Sequence, residues 1–366
     1  MTSIRPCISL IRAFLTTTGV LVMFQAAPQQ ASPQTSGSVS SAAAIASPTV
    51  QLKIEVIKSP TELAGVFRPP LVCDSDGNLY LSTDPDGVDG IHKLNAKGER
   101  VSLFLPRTAD VKVNHPLYFS IGPDGDLYQL ISAMEPSRYV FVYKSDGNLK
   151  STIKLQPGFS FVPQKVAAFP SGDLLVSGLE FDKDPKEALW PFTGIFSNDG
   201  TLRKELTLKD DTEIHDMGAS GDLKVTSAQN PSANHAISGG AAETGPDGNV
   251  YLMRRLSPAI FYAISAGGAV VRRFKVDPGS QDFMPFSMHI SGNRIAVLFR
   301  HSQTAQEIIK VVDLQGRDVA TYEEPMIEGR KTLGGAFACY SSNPDRFTFL
   351  KALEDHKLGL VIATAQ

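Results

Sequence analysis

SIGPDGDLYQL (residues 120–130) sets an apolar segment, a Pro-Asp-Gly turn and a second apolar segment in a row, and the same order recurs five more times. The other copies are VCDSDGNLYLS (72–82), AAFPSGDLLVS (167–177), ETGPDGNVYLM (243–253), MHISGNRIAVL (288–298) and, more loosely, ACYSSNPDRFTFL (338–350). The turn glycines Gly77, Gly125, Gly172, Gly248 and Gly292 lie 48, 47, 76 and 44 residues apart by subtraction, so one interval carries an insertion. A second turn follows each of these glycines after 20 to 28 residues, at Gly98, Gly147, Gly200, Gly268 and Gly316. Asp-Gly and Gly-Gly turns close tight hairpins because glycine takes positive φ at little cost. Two hairpins per repeat give four strands. Four short strands at a period in the 40s make a β-propeller blade, which can bury its two faces only against its neighbours.

The second strand of each hairpin, as in LYL, LLV or IAVLF, is nearly continuous in apolar residues, as expected of a strand buried on both faces. The sixth copy is followed by KLGLVIATAQ (357–366) and then lacks a fourth strand, whereas VQLKIEVIKSP (50–60) stands alone ahead of the first copy. The expected fold is therefore all-β: a six-bladed β-propeller over residues 50–366 with four-stranded blades, its N-terminal strand closing the last blade.

The hairpin pattern resembles the NHL-type six-bladed propellers and, more distantly, the senescence-marker and gluconolactonase-like propellers. The first resemblance implies architecture alone, since propellers serve binders and enzymes alike. The second implies a metal-dependent hydrolase or lactonase, with Glu180, Asp182 or Glu243 among the ligands of a divalent metal. The chain departs from that pattern in its first repeat, where FRPPLVCDSDG (67–77) stands in place of a strand bearing a glutamate ahead of the turn.

The N-terminus carries Arg5 and Arg12 before an apolar run from Ala13 to Ala27 that is broken by three Thr and a Gly. About 20 apolar residues are needed to span a bilayer, so residues 1–27 read as a secretory signal, cleaved between Ala26 and Ser32. Residues 28–49, rich in Ser, Ala, Pro and Gln, read as a disordered linker. The expected location is secreted or periplasmic, in the cell envelope, with no membrane span after cleavage. A net charge of −3 and a pI near 6.2 supply no field that would draw nucleic acid.

Function is expected on the face opposite the glycine turns, where two loops exceed the rest: 178–193 within the third blade and 209–236 between the third and fourth. They bring Glu180, Asp182, Trp190, His215, Asp216 and His235 to one side. Trp190, the only tryptophan, either stacks on a sugar or aromatic ligand or clamps its loop to the blade. The strand exits add Arg138, Arg254, Arg255, Arg300 and His301, with Asp355 and His356 from the last blade, and such cations can grip a carboxylate or phosphate. The expected partner is a small molecule, glycan or protein on this face. No cofactor is expected outside the lactonase alternative. His115, His235 and His289 lie at different registers to their turns, which argues against a shared metal, and Asp84, Asp86 and Asp89 in DPDGVDG (84–90) read as a structural turn. Cys7 falls in the signal. Cys73 and Cys339 sit on the innermost strands of the first and sixth copies, neighbours in a closed ring, and are a disulfide candidate in an oxidising compartment.

Overall fold

A computed structural model describes residues 52–62, 68–82, 90–181, 190–219, 233–323, 326–327, 330–331, 335–353 and 357–366. The segments expected to be signal and linker, residues 84–89 of the expected turn, Asp182, Asp355 and His356 lie outside these residues. The chain opens with β1 (Leu52–Glu62). Blade 1 is β2 (Arg68–Cys73), β3 (Leu79–Ser82), β4 (Ile91–Leu94) and β5 (Arg100–Phe104). Blade 2 is β6 (Val113–Ile121), β7 (Leu127–Ala133), β8 (Arg138–Tyr143) and β9 (Leu149–Lys154). Blade 3 is β10 (Phe161–Ala168), β11 (Leu174–Glu180), β12 (Trp190–Phe196) and β13 (Leu202–Glu205). Two helices, α1 (Asp211–Ala219) and α2 (Ala233–Ser238), precede blade 4, which is β14 (Ala241–Thr244), β15 (Val250–Arg254), β16 (Ala259–Ile264) and β17 (Val270–Val276). Blade 5 is β18 (Phe283–Ser291), β19 (Arg294–His301), β20 (Glu307–Asp313) and β21 (Asp318–Glu323). A short hairpin, β22 (Met326–Ile327) and β23 (Arg330–Lys331), leads to β24 (Ala336–Ser341), β25 (Arg346–Ala352) and β26 (Lys357–Ala365).

Every blade is antiparallel, and the sixth has the order β1-β26-β25-β24, so the N-terminal strand forms its outer edge. Leu52 faces Ala365, and the pairing runs on to Lys58 opposite Gly359. The blades stack through apolar faces as the repeat requires: Leu175 and Ile195 of blade 3 pack with Leu252 and Tyr262 of blade 4. Across the closure, Leu71 and Leu79 of blade 1 meet Ala338, Leu350 and Leu358 of blade 6. Cys73 Sγ and Cys339 Sγ are bonded at 2.07 Å with Cα atoms 5.4 Å apart, joining β2 to β24 across 266 residues of chain. The ring is thus closed twice, by a strand and by a disulfide.

Aspartates in the turns organise the hairpins. Asp74 Oδ1 accepts the backbone N–H groups of Asp76 at 3.1 Å and Asn78 at 2.9 Å, while its other oxygen takes Tyr80 OH at 3.0 Å and Lys93 Nζ at 3.2 Å. In blade 6 no glycine is available, and Asn343 adopts φ 69° in its place. Asparagine tolerates that conformation better than other non-glycine residues. Asp345 beside it receives Arg294, Tyr322 and Tyr340 and so binds blade 5 to the last turn. No helix among the described residues is long and apolar enough to cross a membrane.

Candidate functional site

Because β13 leaves the turn at Gly200 and β14 enters the turn at Gly248, the segment between them lies at the opposite end of the ring. Both helices of the insertion belong to that end. Two buried carboxylates fix the start of α1. Asp210 accepts Arg273 Nε at 2.8 Å and Nη2 at 2.6 Å, and Tyr262 OH donates to it as well. Burial pulls the pKa of Asp210 upward, but the Arg273 and Tyr262 bonds outweigh it and hold the carboxyl below its usual range. Asp211 meets Arg254 Nη2 at 3.2 Å and is held above the usual range by burial, which the Arg254 charge only partly offsets.

Arg254 corrects the expectation that it faces a ligand. It is 1% exposed, and its guanidinium also donates to Ser177 Oγ at 2.8 Å and Thr193 Oγ1 at 3.0 Å, locking blade 4 to blade 3. Trp190 stacks on His215 of α1 with ring centroids 3.6 Å apart and an interplanar angle of 9°. The indole is thus engaged by α1, and residues 182–189 of the loop before it lie outside the described residues. Glu180 pairs with Trp190 across β11 and β12 and is half-buried. The backbone of Asp216 is in α1, and its side chain lies outside the described residues.

What gathers at this mouth is a set of basic side chains from four parts of the chain. Lys165, on β10 beside a bulge at Pro163, is 6% exposed; its Nζ donates to Ser238 O at 2.7 Å and lies 4.3 Å from the centre of the Tyr118 ring. Burial, with the Arg255 charge adding to it, pushes the Lys165 pKa down to about 7. Arg255, just past β15, donates from Nε to Pro285 O at 3.0 Å. His235 of α2 is lowered by burial and then by Arg255. Arg300 pairs with Glu307 through bonds of 2.8 and 2.5 Å. The guanidinium carbons of Arg300 and Arg255 sit 4.2 and 5.7 Å from the ring of Phe286, which is 37% exposed. Lys165 and Phe286 were not anticipated from the sequence. The one available signal was a lone lysine inside the apolar strand FVPQKVAA. Elsewhere on this face Arg138 donates to Ser137 O at 3.2 Å, and His301 Nδ1 accepts the N–H groups of Gln303 and Thr304.

At the other end the turns of all six blades surround a cavity of about 700 Å³, with Gly77, Gly125, Pro170, Gly248, Gly292 and Ser341 in its wall. Glu243 also lines it, but both carboxylate oxygens are engaged, one by Ile290 N at 2.9 Å and the other by His289 Nδ1 at 3.1 Å. His289 Nε2 lies 3.5 Å from Phe337 O, so this pair ties the inner strands of blades 4, 5 and 6 together. His115 is exposed on β6 and His235 belongs to α2, so neither joins His289. Among the described residues no three His, Cys, Asp or Glu side chains are placed to hold a metal ion.

No protein-family model matches the chain, and no curated protein matches it in sequence. Solved structures do match in shape. A protein of unknown function from Bacteroides caccae is 12% identical with a TM-score of 0.45, over 75% of this chain and 94% of that one. A catalytically inactive virginiamycin B lyase from Staphylococcus aureus, in complex with quinupristin, is 14% identical with a TM-score of 0.42, over 85% and 99%. A gluconolactonase from Xanthomonas campestris is 13% identical with a TM-score of 0.38, over 63% and 68%. At such identities the function must be argued from the residues of this chain.

Proposed function

We propose that this chain is an exported propeller that acts as a binding module and takes its ligand on the face carrying α1 and α2. The observation that carries the reading is the way the insertion is held. Two buried carboxylates, Asp210 and Asp211, secure the start of α1 to blade 4, and the Trp190–His215 stack secures it to blade 3. A solvated decoration has no need of such anchors, whereas a ligand platform must be rigid, because side chains ordered in advance need not be ordered on binding. A small molecule suits a mouth of this kind better than a protein surface, since the polar groups converge from several blades. Export is supported by the reading of residues 1–27 and by the Cys73–Cys339 bond, which persists in oxidising compartments.

Trp190 is a built-in reporter of this face. Titration with amino acids, organic acids and oligosaccharides is expected to give a saturable change in its emission for one of these classes. A ligand that leaves Trp190 emission unchanged and is lost on Ser341→Trp, in the turn-end cavity, would overturn the reading. Metal-dependent hydrolysis of lactones that disappears in Glu243→Gln would make the protein an enzyme instead. N-terminal sequencing of the exported protein is expected to begin between Ala26 and Ser32. Retention of Met1 would refute the cleaved signal.

A further inference from the structure

Resting on the long-loop face as the ligand face, we propose that Lys165, Arg255 and Arg300 form a site for an oxyanion, the carboxylate or phosphate of a small ligand whose apolar part packs on Phe286. Two of these cations meet on one short segment, the Ser238–Gly239 link from α2 into β14. Lys165 Nζ is bonded to Ser238 O at 2.7 Å. The stem of Arg255 lies against Gly239 so closely that a Cβ there would come within 2.3 Å of Arg255 Cδ. Any side chain at 239 would displace the guanidinium. Arg255 and Arg300 then share the Phe286 ring, at 5.7 and 4.2 Å.

The charges around this segment do not balance. Among the described residues, Glu307 is the only carboxylate that forms an ion pair with any of the three cations, and it serves Arg300. Lys165 has a carbonyl and an aromatic ring for company, and Arg255 a carbonyl and an aromatic ring. An exposed patch of like charge would be relieved by water and salt. Lys165, at 6% exposure, is largely denied that relief, and a buried cation without a counter-charge is costly.

The unused donors fit an oxyanion. An ammonium has three N–H donors, of which Ser238 takes one. A guanidinium has five, and in Arg255 only Nε–H is bonded within the described residues, which leaves the outer edge of the fork open. That edge matches the two oxygens of a carboxylate or two of a phosphate. Phe286, flanked by both guanidinium planes and partly open to solvent, supplies the adjacent apolar contact.

Calorimetry on the mature chain at low salt and pH 6.5 tests the assignment, with benzoate and inorganic phosphate as anions and benzyl alcohol as the uncharged counterpart of benzoate. At least one anion is expected to bind at least ~10-fold more tightly than benzyl alcohol, and Lys165→Met and Arg255→Met are each expected to weaken it about 10-fold or more, the effect of losing a charge-assisted hydrogen bond. Phosphate alone binding would identify the oxyanion as a phosphate, and benzoate alone as a carboxylate. Lys165→Met can decide the matter without Arg255→Met, because methionine fills the volume of the lysine stem and removes a buried charge. If neither anion binds, or both bind wild type and Lys165→Met equally, the oxyanion site is wrong. Benzyl alcohol or a neutral sugar that shifts Trp190 emission equally in wild type and Lys165→Met would keep the ligand face and discard the oxyanion.

Discussion

Lys165 shows how a single residue can couple protonation to both folding and binding. Its pKa is lowered from 10.5 to about 7 by burial and by Arg255. Around it stand Tyr118 on β6, Arg255 after β15 and His235 on α2, with Glu243 on β14 near Tyr118. Below about pH 7 both folded and unfolded chains carry the proton, and the folded state bears the full cost of the buried charge. Between about 7 and 10.5 the unfolded chain holds a proton that the folded one has released, so stability rises with pH through that window. Urea unfolding is expected to find Lys165→Met more stable than wild type at pH 6, with the gap shrinking toward pH 10; a constant gap would contradict this. A bound oxyanion favours the charged lysine, so anion affinity should fall as the pH rises above about 7. Arg254 lies beyond what sequence could settle, for a plain reason. Arg254 is the last residue of β15, paired with Ile260, and its guanidinium enters the interface with blade 3, whereas Arg255 stands just past the strand with its N–H bonded to Ala236 O. Where the strand stops between two adjacent arginines is set by pairing with distant residues. Arg254→Ala should cost about 3–5 kcal/mol in urea unfolding because it strands Asp211 in the interior, while Arg254→Met with Asp211→Leu should recover most of the loss.

At the scale of the element, the hairpins were legible because glycines mark both turns of the first five repeats, and the lone strand at 50–60 was legible because the last blade lacked one. The helices were not. DTEIHDMGA has no sustained apolar stripe, and α1 forms where Asp210 and Asp211 find Arg273 and Arg254, partners 63 and 43 residues away. Lys165 was missed for a related reason, since the bulge between Pro163 and Lys165 shifts the strand register and so resets which face the lysine takes. Turn glycines of similar sequence also differ in consequence. Gly200 has φ 89°, and a Cβ on it would come within 2.0 Å of Lys154 O, where the blade 3 turn meets the edge of blade 2. Gly77 has φ 77° with nothing within 4 Å. Gly200→Ala is therefore expected to destabilise by more than about 2 kcal/mol, and Gly77→Ala only by the backbone cost of about 1 kcal/mol. Equal losses in thermal unfolding would show that the contact at Lys154 is not felt.

For the whole molecule, closure is the central structural fact. A propeller ring has to hold its first and last blades together, and here β1 does so by pairing with β26 while Cys73 and Cys339 do so covalently. Replacing both cysteines by serine is expected to lower stability on the order of 5 kcal/mol in the chain-entropy account for so long a loop, with the β1 edge keeping the ring folded. The repeat pattern and the spacing of its turns, in the 40s apart from one insertion, were enough to foresee this ring, but they say nothing of the charge on its mouth, which depends on side chains brought from β10, α2, β19 and the residue after β15. The most direct test of the account is hydrogen exchange of the mature protein, with and without benzoate, read by mass spectrometry across all six blades. Protection is expected at 233–243, 253–256 and 283–287, with the turns at 74–78, 122–126 and 245–249 unchanged. Protection confined to those turns, around the cavity at the opposite end, would contradict it.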